Sequence, residues 1–305
     1  MTLAGISLRD LEYVVAVADQ ASFVRAAELC NVSQPSLSAQ VRKVEGWAGG
    51  ELFERTSRKV MLTPRGARFV EQARRVLEEA RALAQLGGAE DRPFGGTLRL
   101  YAIATLGPYL FPRILGPLRQ RFPDVGLVLG EGLTETLTTM LRAGDLDCVL
   151  MSGPVEEPGL EAEPIFREPF LLAAPTNRPR ERPAEEVWRT LPTQERLVLA
   201  EGHCLRHQAL AFCSDIGKKD RHGTSLETLK YMVAAGEGLT LVPALATETG
   251  SGVTYSPLPD PGFAREIVLA WRRRDVRAAD FRALAGALRD IAGHALGGVQ
   301  PLGVT

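Results

Sequence analysis

Residues 23–45 constrain this chain more than any other stretch. FVRAAEL, residues 23–29, reads as a short helix reaching about Cys30, and its Ala26-Ala27 pair is small enough to let a neighbouring helix approach closely. Asn31 follows, a residue type that tolerates the left-handed turn conformation. Ser33 can then cap a further helix, with Gln34 and Pro35 in the first turn, where proline costs little. Within that helix Leu37, Val41 and Val44 fall on one face at i, i+4 and i+7. The other face presents Gln34, Pro35, Ser38, Ala39, Arg42 and Lys43. Short polar side chains at the start of a helix suit base edges, and basic ones further along suit phosphates. Two helices joined by a tight turn form the helix-turn-helix pattern.

The flanks extend this pattern into a domain. Leu8, Leu11, Val14, Val15 and Ala18 recur at helical spacing, so residues 7–19 read as an amphipathic helix. In ELFERTSRKVMLT, residues 51–63, a polar and basic tip lies between apolar flanks, as in a β-hairpin wing. Thr63-Pro64 opens a long helix with threonine as cap and proline at its first position. Along it Phe69, Ala73, Val76, Ala80 and Leu83 form a narrow apolar seam that suits pairing with a second copy, or packing on the helix's own domain. Gly87-Gly88 end it. From Ser33 to Arg75 nine basic residues face four acidic ones, in a chain whose net charge is only −1. A local basic patch in a neutral protein fits a polyanion partner.

A length of 305 residues suggests two domains. The first residues lack a basic stretch followed by a long apolar run, and no run of about 18 apolar residues occurs, so the expectation is a cytoplasmic chain with no signal peptide and no membrane span. Four cysteines in such a chain argue against a structural disulfide framework. No metal-ligand set or cofactor motif stands out, and none is expected. Cys30 and Cys148 fall at apolar helix and strand positions and read as core.

Residues 87–96 are turn-rich and read as a linker. Beyond it strands (97–103, 125–130, 146–151) alternate with helices (109–122, 134–143, ended by Gly144), which predicts a mostly parallel sheet with helices on its faces. A second α/β set follows. Residues 170–174, 197–200 and 239–242 read as strands, TSLE at 224–227 as a capping box opening a helix to about Ala235, 267–271 as a last strand and 280–295 as a final helix. Ligands in such sheets lie at the carboxyl ends of strands. Thr105 and Thr134 stand there, as ligand contacts or as plain cap and turn residues.

GHCLRHQALAFC, residues 202–213, holds two of the four cysteines. His203, Arg206 and His207 surround Cys204, and cationic neighbours favour thiolate over thiol. On one helix the nine-residue step to Cys213 would span about 13.5 Å, whereas a disulfide needs Cα atoms within about 7 Å. The pair therefore reads as a redox switch that must change shape, or as two small apolar residues.

The stretch 23–45 with SQPSLSAQVRKVE, then LFER at 52–55 and LTPRG at 62–66, resembles the winged helix-turn-helix of LysR-type transcriptional regulators. TLGPYL at 105–110, LDCVL at 146–150, GHCLR at 202–206 with Cys213, and TSLETL at 224–229 through MVAAG at 232–236 resemble the peroxide-sensing branch of that family. The resemblance implies an N-terminal winged helix-turn-helix with a long dimerisation helix, followed by a two-lobe α/β, periplasmic-binding-protein-like regulatory domain. The boundaries implied are 1–66 for DNA binding, 64–88 for the linker helix, 89–96 for a hinge, 97–171 with 271–305 for lobe I, and 172–270 for lobe II with the switch. It also implies Cys204 as peroxidatic and Cys213 as resolving cysteine, joined by a reversible disulfide. Thr105, Thr134, His203 and Arg272 would bind peroxide, and Gln34, Pro35, Ser36, Ser38, Arg42, Lys43, Arg55 and Arg58 would bind DNA. The expected partners are double-stranded operator DNA, hydrogen peroxide, a second copy in a homodimer and then a tetramer, RNA polymerase, and a glutaredoxin- or thioredoxin-type reductant. The expected role is regulation of antioxidant genes rather than enzymatic turnover. A LysR-type regulator answering a small organic effector in the interlobe cleft is the alternative. His207 is a departure, since an acidic residue is expected after Arg206.

Overall fold

The computed structural model describes residues 5–55, 60–86, 93–178, 182–212, 221–247, 252–259 and 262–302. The chain divides into two compact units, Met1–Gly88 and Ala89–Thr305.

The first unit comprises α1 (Leu8–Gln20), α2 (Phe23–Leu29), α3 (Gln34–Ala48), β1 (Phe53–Arg55), β2 (Val60–Leu62) and α4 (Pro64–Leu86). Ser7 and Asp10 close a reciprocal capping box at the start of α1. Ser22 and Ser33 cap α2 and α3 through Arg25 N and Ser36 N. Asn31 turns between those helices at φ 55. Leu37, Val41 and Val44 are buried in one core with Val14, Val17, Ala26, Ala27, Leu52 and Phe53. β1 and β2 pair antiparallel. The LTPRG run acquires its reason here. Thr63 Oγ1 donates to the Glu51 carbonyl and accepts from Gly66 N, both at 2.9 Å, so it caps α4 while pinning the wing. A side chain at Gly66 would collide with the Leu52 carbonyl.

The apolar seam expected on α4 is divided. Val70, Ala73 and Leu77 are buried within the unit's own core, where α4 packs on α1, and Phe69 meets Trp47 edge-on. Val76 and Leu83 stay exposed. The sequence spacing merged two neighbouring stripes that the helix keeps apart.

The second unit comprises β3 (Thr97–Ile103), α5 (Gly107–Arg121), β4 (Gly126–Gly132), α6 (Thr134–Ala143), β5 (Cys148–Ser152), β6 (Leu160–Pro175), α7 (Ala184–Thr190), β7 (Leu197–Leu199), α8 (Cys204–Leu210), β8 (Arg221–Gly223), α9 (Leu226–Ala234), β9 (Thr240–Pro243), β10 (Val253–Pro257), β11 (Ala264–Arg272), α10 (Ala278–Ala295) and β12 (Gln300–Pro301). One sheet runs β10-β6-β11-β5-β3-β4, and β9 and β12 also pair with β6. Two cores flank it. One gathers β3, α5, β5 and α10, and the other gathers the second half of β6, α7, β7, α8 and α9.

Several expectations are corrected. Among the described residues of the main sheet only β3–β4 and β3–β5 pair in parallel, and β7–β8 form a separate parallel pair. The long strands β6 and β11, which run between the lobes in opposite directions, make the other pairings antiparallel. β11 enters the lobe I core by Ile267, so the return to lobe I precedes residue 271. The cap of α9 is Ser225, one residue after Thr224, and it accepts from Thr228 N. The expected hinge belongs partly to the second unit, because Phe94 is buried there against Phe122 and Phe281.

Candidate nucleic-acid interface and redox site

On α3 the capping by Ser33 aims the first turn outward. Gln34, Pro35, Ser36, Ala39 and Arg42 are exposed. Ser38 is buried, so its assignment to DNA contact is corrected: it lies beside Leu37 on the inner face. Lys43 bonds Asp10 Oδ2 at 3.1 Å, while half of its side chain stays exposed. Buried Glu45 accepts from Leu52 N and Phe53 N at 3.0 and 3.3 Å, which ties the wing to α3. Arg65, from the LTPRG run, donates to the Ala48 carbonyl at 2.9 Å and locks the α3–wing turn. Arg55 lies on β1; its side chain and Arg58 lie outside the described residues.

In the second unit the carboxyl edge of the parallel strands collects polar groups. Thr105 follows β3 and is buried, accepting Arg265 Nη1 at its hydroxyl (2.8 Å) while its carbonyl accepts Nη2 (3.0 Å). Thr134 opens α6 directly after β4. Its Oγ1 is buried and finds no hydrogen-bond partner among the described residues. Ser152 ends β5 at the same edge.

α8 lies over that edge. Leu205, Ala209 and Leu210 are buried, with Leu205 and Ala209 in the lobe II core. Trp188 Nε1 donates to the Ala209 carbonyl at 3.2 Å. Cys204, the first residue of α8, is half-buried and packs against the lobe I core. Gly202 has φ +92, and a side chain there would press on Leu133, the residue before Thr134. Gln208 stands one turn past Cys204. Its Nε2 donates to Ser152 Oγ at 2.6 Å, and its Oε1 is buried without a partner among the described residues. His203 precedes the cysteine; burial lowers its pKa, partly offset by a hydrogen bond to the Thr224 backbone, so the ring favours its neutral form. Arg206 donates to the Leu199 carbonyl at 2.9 Å, and His207 is exposed in the last turn. Cys213 lies outside the described residues.

Arg272 is corrected. It bonds the Leu141 and Leu146 carbonyls at 2.9 and 2.6 Å and Asp275 at 2.6 Å. It closes β11 seven residues beyond Arg265, about 23 Å away at the usual rise of a strand. The arginine at the Thr105 edge is Arg265. Its signal in the sequence was a lone cation at the head of the apolar run EIVLAW. Gln208 was legible only as a residue four past Cys204.

Cys30 and Cys148 are buried, and burial pushes both thiols above their ordinary pKa, consistent with inert core residues. Among the described residues no group of three or more His, Cys, Asp or Glu could hold a metal ion, and no helix is long and apolar enough to cross a membrane. A cavity of about 550 Å³ opens in lobe II, lined by Leu172, Arg178, Arg182, Val187 and Ser256 among others; Thr105, Thr134, His203 and Cys204 do not line it.

Comparison with known proteins agrees with this division. Residues 8–67 match the bacterial regulatory helix-turn-helix of the LysR family, and residues 91–293 match the LysR substrate-binding domain. The chain is 42% identical over 290 residues to the DNA-binding transcriptional dual regulator OxyR of Escherichia coli K12, covering 93% of this chain and 95% of that one. It is similar to a full-length OxyR variant of Pseudomonas aeruginosa (TM-score 0.68, 34% identity, 93% of this chain and 95% of that one). It is also similar to a hydrogen-peroxide-bound OxyR variant of Corynebacterium glutamicum (TM-score 0.61, 30% identity, 95% and 94%). With both domain models matched and its relatives matched almost end to end, the chain belongs to the LysR family of bacterial transcriptional regulators, in its OxyR branch.

Proposed function

We propose that this chain is a DNA-binding transcription regulator that senses hydrogen peroxide at Cys204. The observation that carries the reading is the pair of buried oxygens, Thr134 Oγ1 and Gln208 Oε1, that lack partners at the edge over which Cys204 lies. Buried polar atoms left unpaired are costly and rare, so such a pair points to a small polar visitor. Hydrogen peroxide offers two O–H donors, one for each of these oxygens. Thr105, oriented by Arg265, and His203 complete the surroundings.

The Cys204 thiolate attacks one peroxide oxygen. An S–O bond forms as the O–O bond breaks, sulfur is oxidised to sulfenic acid, and the leaving hydroxide takes up a proton to become water. Attack by the Cys213 thiol then forms a disulfide and releases a second water. A dithiol protein reductant of glutaredoxin or thioredoxin type reverses it. Closing this short loop contributes only about 2–3 kcal/mol. The brevity of α8 supports the scheme, because seven residues make a helix that depends on its packing and can be remodelled. A reshaped 204–213 segment would alter lobe packing and the geometry of paired DNA-binding domains. Val76 and Leu83, exposed on α4, supply apolar surface for the homodimer, which doubles to a tetramer; RNA polymerase and antioxidant promoters are the downstream partners.

Peptide mapping of the reduced full chain after about one equivalent of peroxide tests the reading. A Cys204–Cys213 peptide within seconds, and a Cys204→Ser protein whose DNA footprint ignores peroxide, are expected. Free thiols after treatment, or a Cys204→Ser protein that still switches, would overturn it.

A further inference from the structure

We propose that Ser152 is a positioning residue for the peroxide reaction, acting on Cys204 through Gln208. The inference rests on the peroxide-sensing reading above. Gln208 and Cys204 are i and i+4 on α8 and so project from one face. A glutamine has three side-chain torsions and settles only when something holds its amide. Ser152 does so from a different lobe: its Oγ accepts Gln208 Nε2 at 2.6 Å. The planar amide then carries its other end, the buried Oε1, in a set direction with no partner of its own among the described residues.

Ser152 is itself well anchored. It ends β5, and its backbone register opposite Ile267 of β11 is part of the central ladder. Thr105 and Thr134 follow the adjacent parallel strands at this same edge. One sheet edge therefore sets Thr105, Thr134 and, by way of Ser152, the amide of a residue carried on α8. Gln208 Oε1 can only accept a hydrogen bond, so it fixes the O–H direction of the bound peroxide and thereby which oxygen faces sulfur. That alignment matters because the S–O bond forms in line with the O–O bond that breaks.

The test measures sulfenic acid formation on Cys204 against peroxide concentration in the full reduced chain carrying Cys213→Ser, so that the product persists. Iodoacetamide alkylation of Cys204 is measured in parallel as a reaction that needs no peroxide alignment. Ser152→Ala is expected to lower the peroxide rate constant about fivefold, the size of one net hydrogen bond. Ser152→Thr, which keeps the hydroxyl, is expected to restore it, and alkylation is expected to be equal in all three. A Ser152→Ala protein reacting at the parent rate overturns the inference, as does a parallel loss of both reactions, which would mark a general disturbance of α8. A parent protein with Ser152 intact that reacts no faster than free cysteine overturns the peroxide reading itself, a result distinct from the other two.

Discussion

Arg265 holds Thr105 by hydroxyl and carbonyl together, at 2.8 and 3.0 Å, while its own charge is met by Glu168 directly opposite on β6. Both members of that ion pair are fully buried. Glu168 spends its second oxygen on Leu245 N, so the segment after β9 is secured to the same network that positions Thr105. Burying a charge pair is tolerable only when each member is satisfied to this degree.

Arg265→Ala leaves Glu168 charged and unpaired in the interior, and is expected to destabilise the second unit by about 3–5 kcal/mol. Replacing both partners by apolar residues of similar size should recover most of that loss. Urea unfolding of the single and double variants measures it; equal losses in both would show that packing rather than the unpaired charge dominates.

Thr134→Val removes a buried hydroxyl that has no partner among the described residues. Its expected effects point in opposite directions. The folded protein gains up to about 1 kcal/mol, because an unsatisfied polar group is gone, while the rate of Cys204 oxidation falls. A thermal melt and a peroxide titration on the same sample check both, and a loss of stability would mean that the hydroxyl is satisfied in the free protein.

On α3, Gln34 is exposed in the first turn and Arg42 lies two turns further on. Gln34→Ala is expected to erase the preference for operator over random DNA. Arg42→Ala should weaken all sequences alike and reduce the salt slope by about one. Fluorescence anisotropy at several salt concentrations separates the two, and identical behaviour would count against these roles.

Asp275 carries a pH signature. Burial works against its ionised form, but hydrogen bonds and charge from Arg277, with the charge of Arg272, outweigh burial and hold the carboxyl below its ordinary range. A folded-state value below the unfolded one means that the stabilisation is complete above the unfolded pKa of about 4 and is lost as pH falls through the folded value. Denaturant midpoints should therefore drop more steeply below about pH 4 in the parent than in Asp275→Asn. Parallel curves would show that Asp275 titrates alike in both states.

Much of the fold was legible because it is local. Asn31 at positive φ, Ser33 at a helix cap, Gly144 ending α6 and the buried triplet Leu37, Val41 and Val44 each follow from near-neighbour sterics and spacing. The misplacements are equally physical. Ser38 sits one residue from the apolar stripe of α3, where a small rotation of the helix decides exposure. The TSLE run offered two hydroxyls as caps, and the chain used the second.

The redox segment shows the division most clearly. Sequence alone singled out Cys204, its basic neighbours and the threonines after the strands, because residue chemistry and strand-end placement are one-dimensional properties. Which arginine serves Thr105 was decided by strand direction: β11 runs antiparallel to β5, so its first residues, not its last, reach the carboxyl edge. The Ser152–Gln208 bond joins residues 56 apart, on a strand of one lobe and a helix packed in the other. No periodicity encodes such a contact; it exists only once two separately folded cores bring β5 and α8 together.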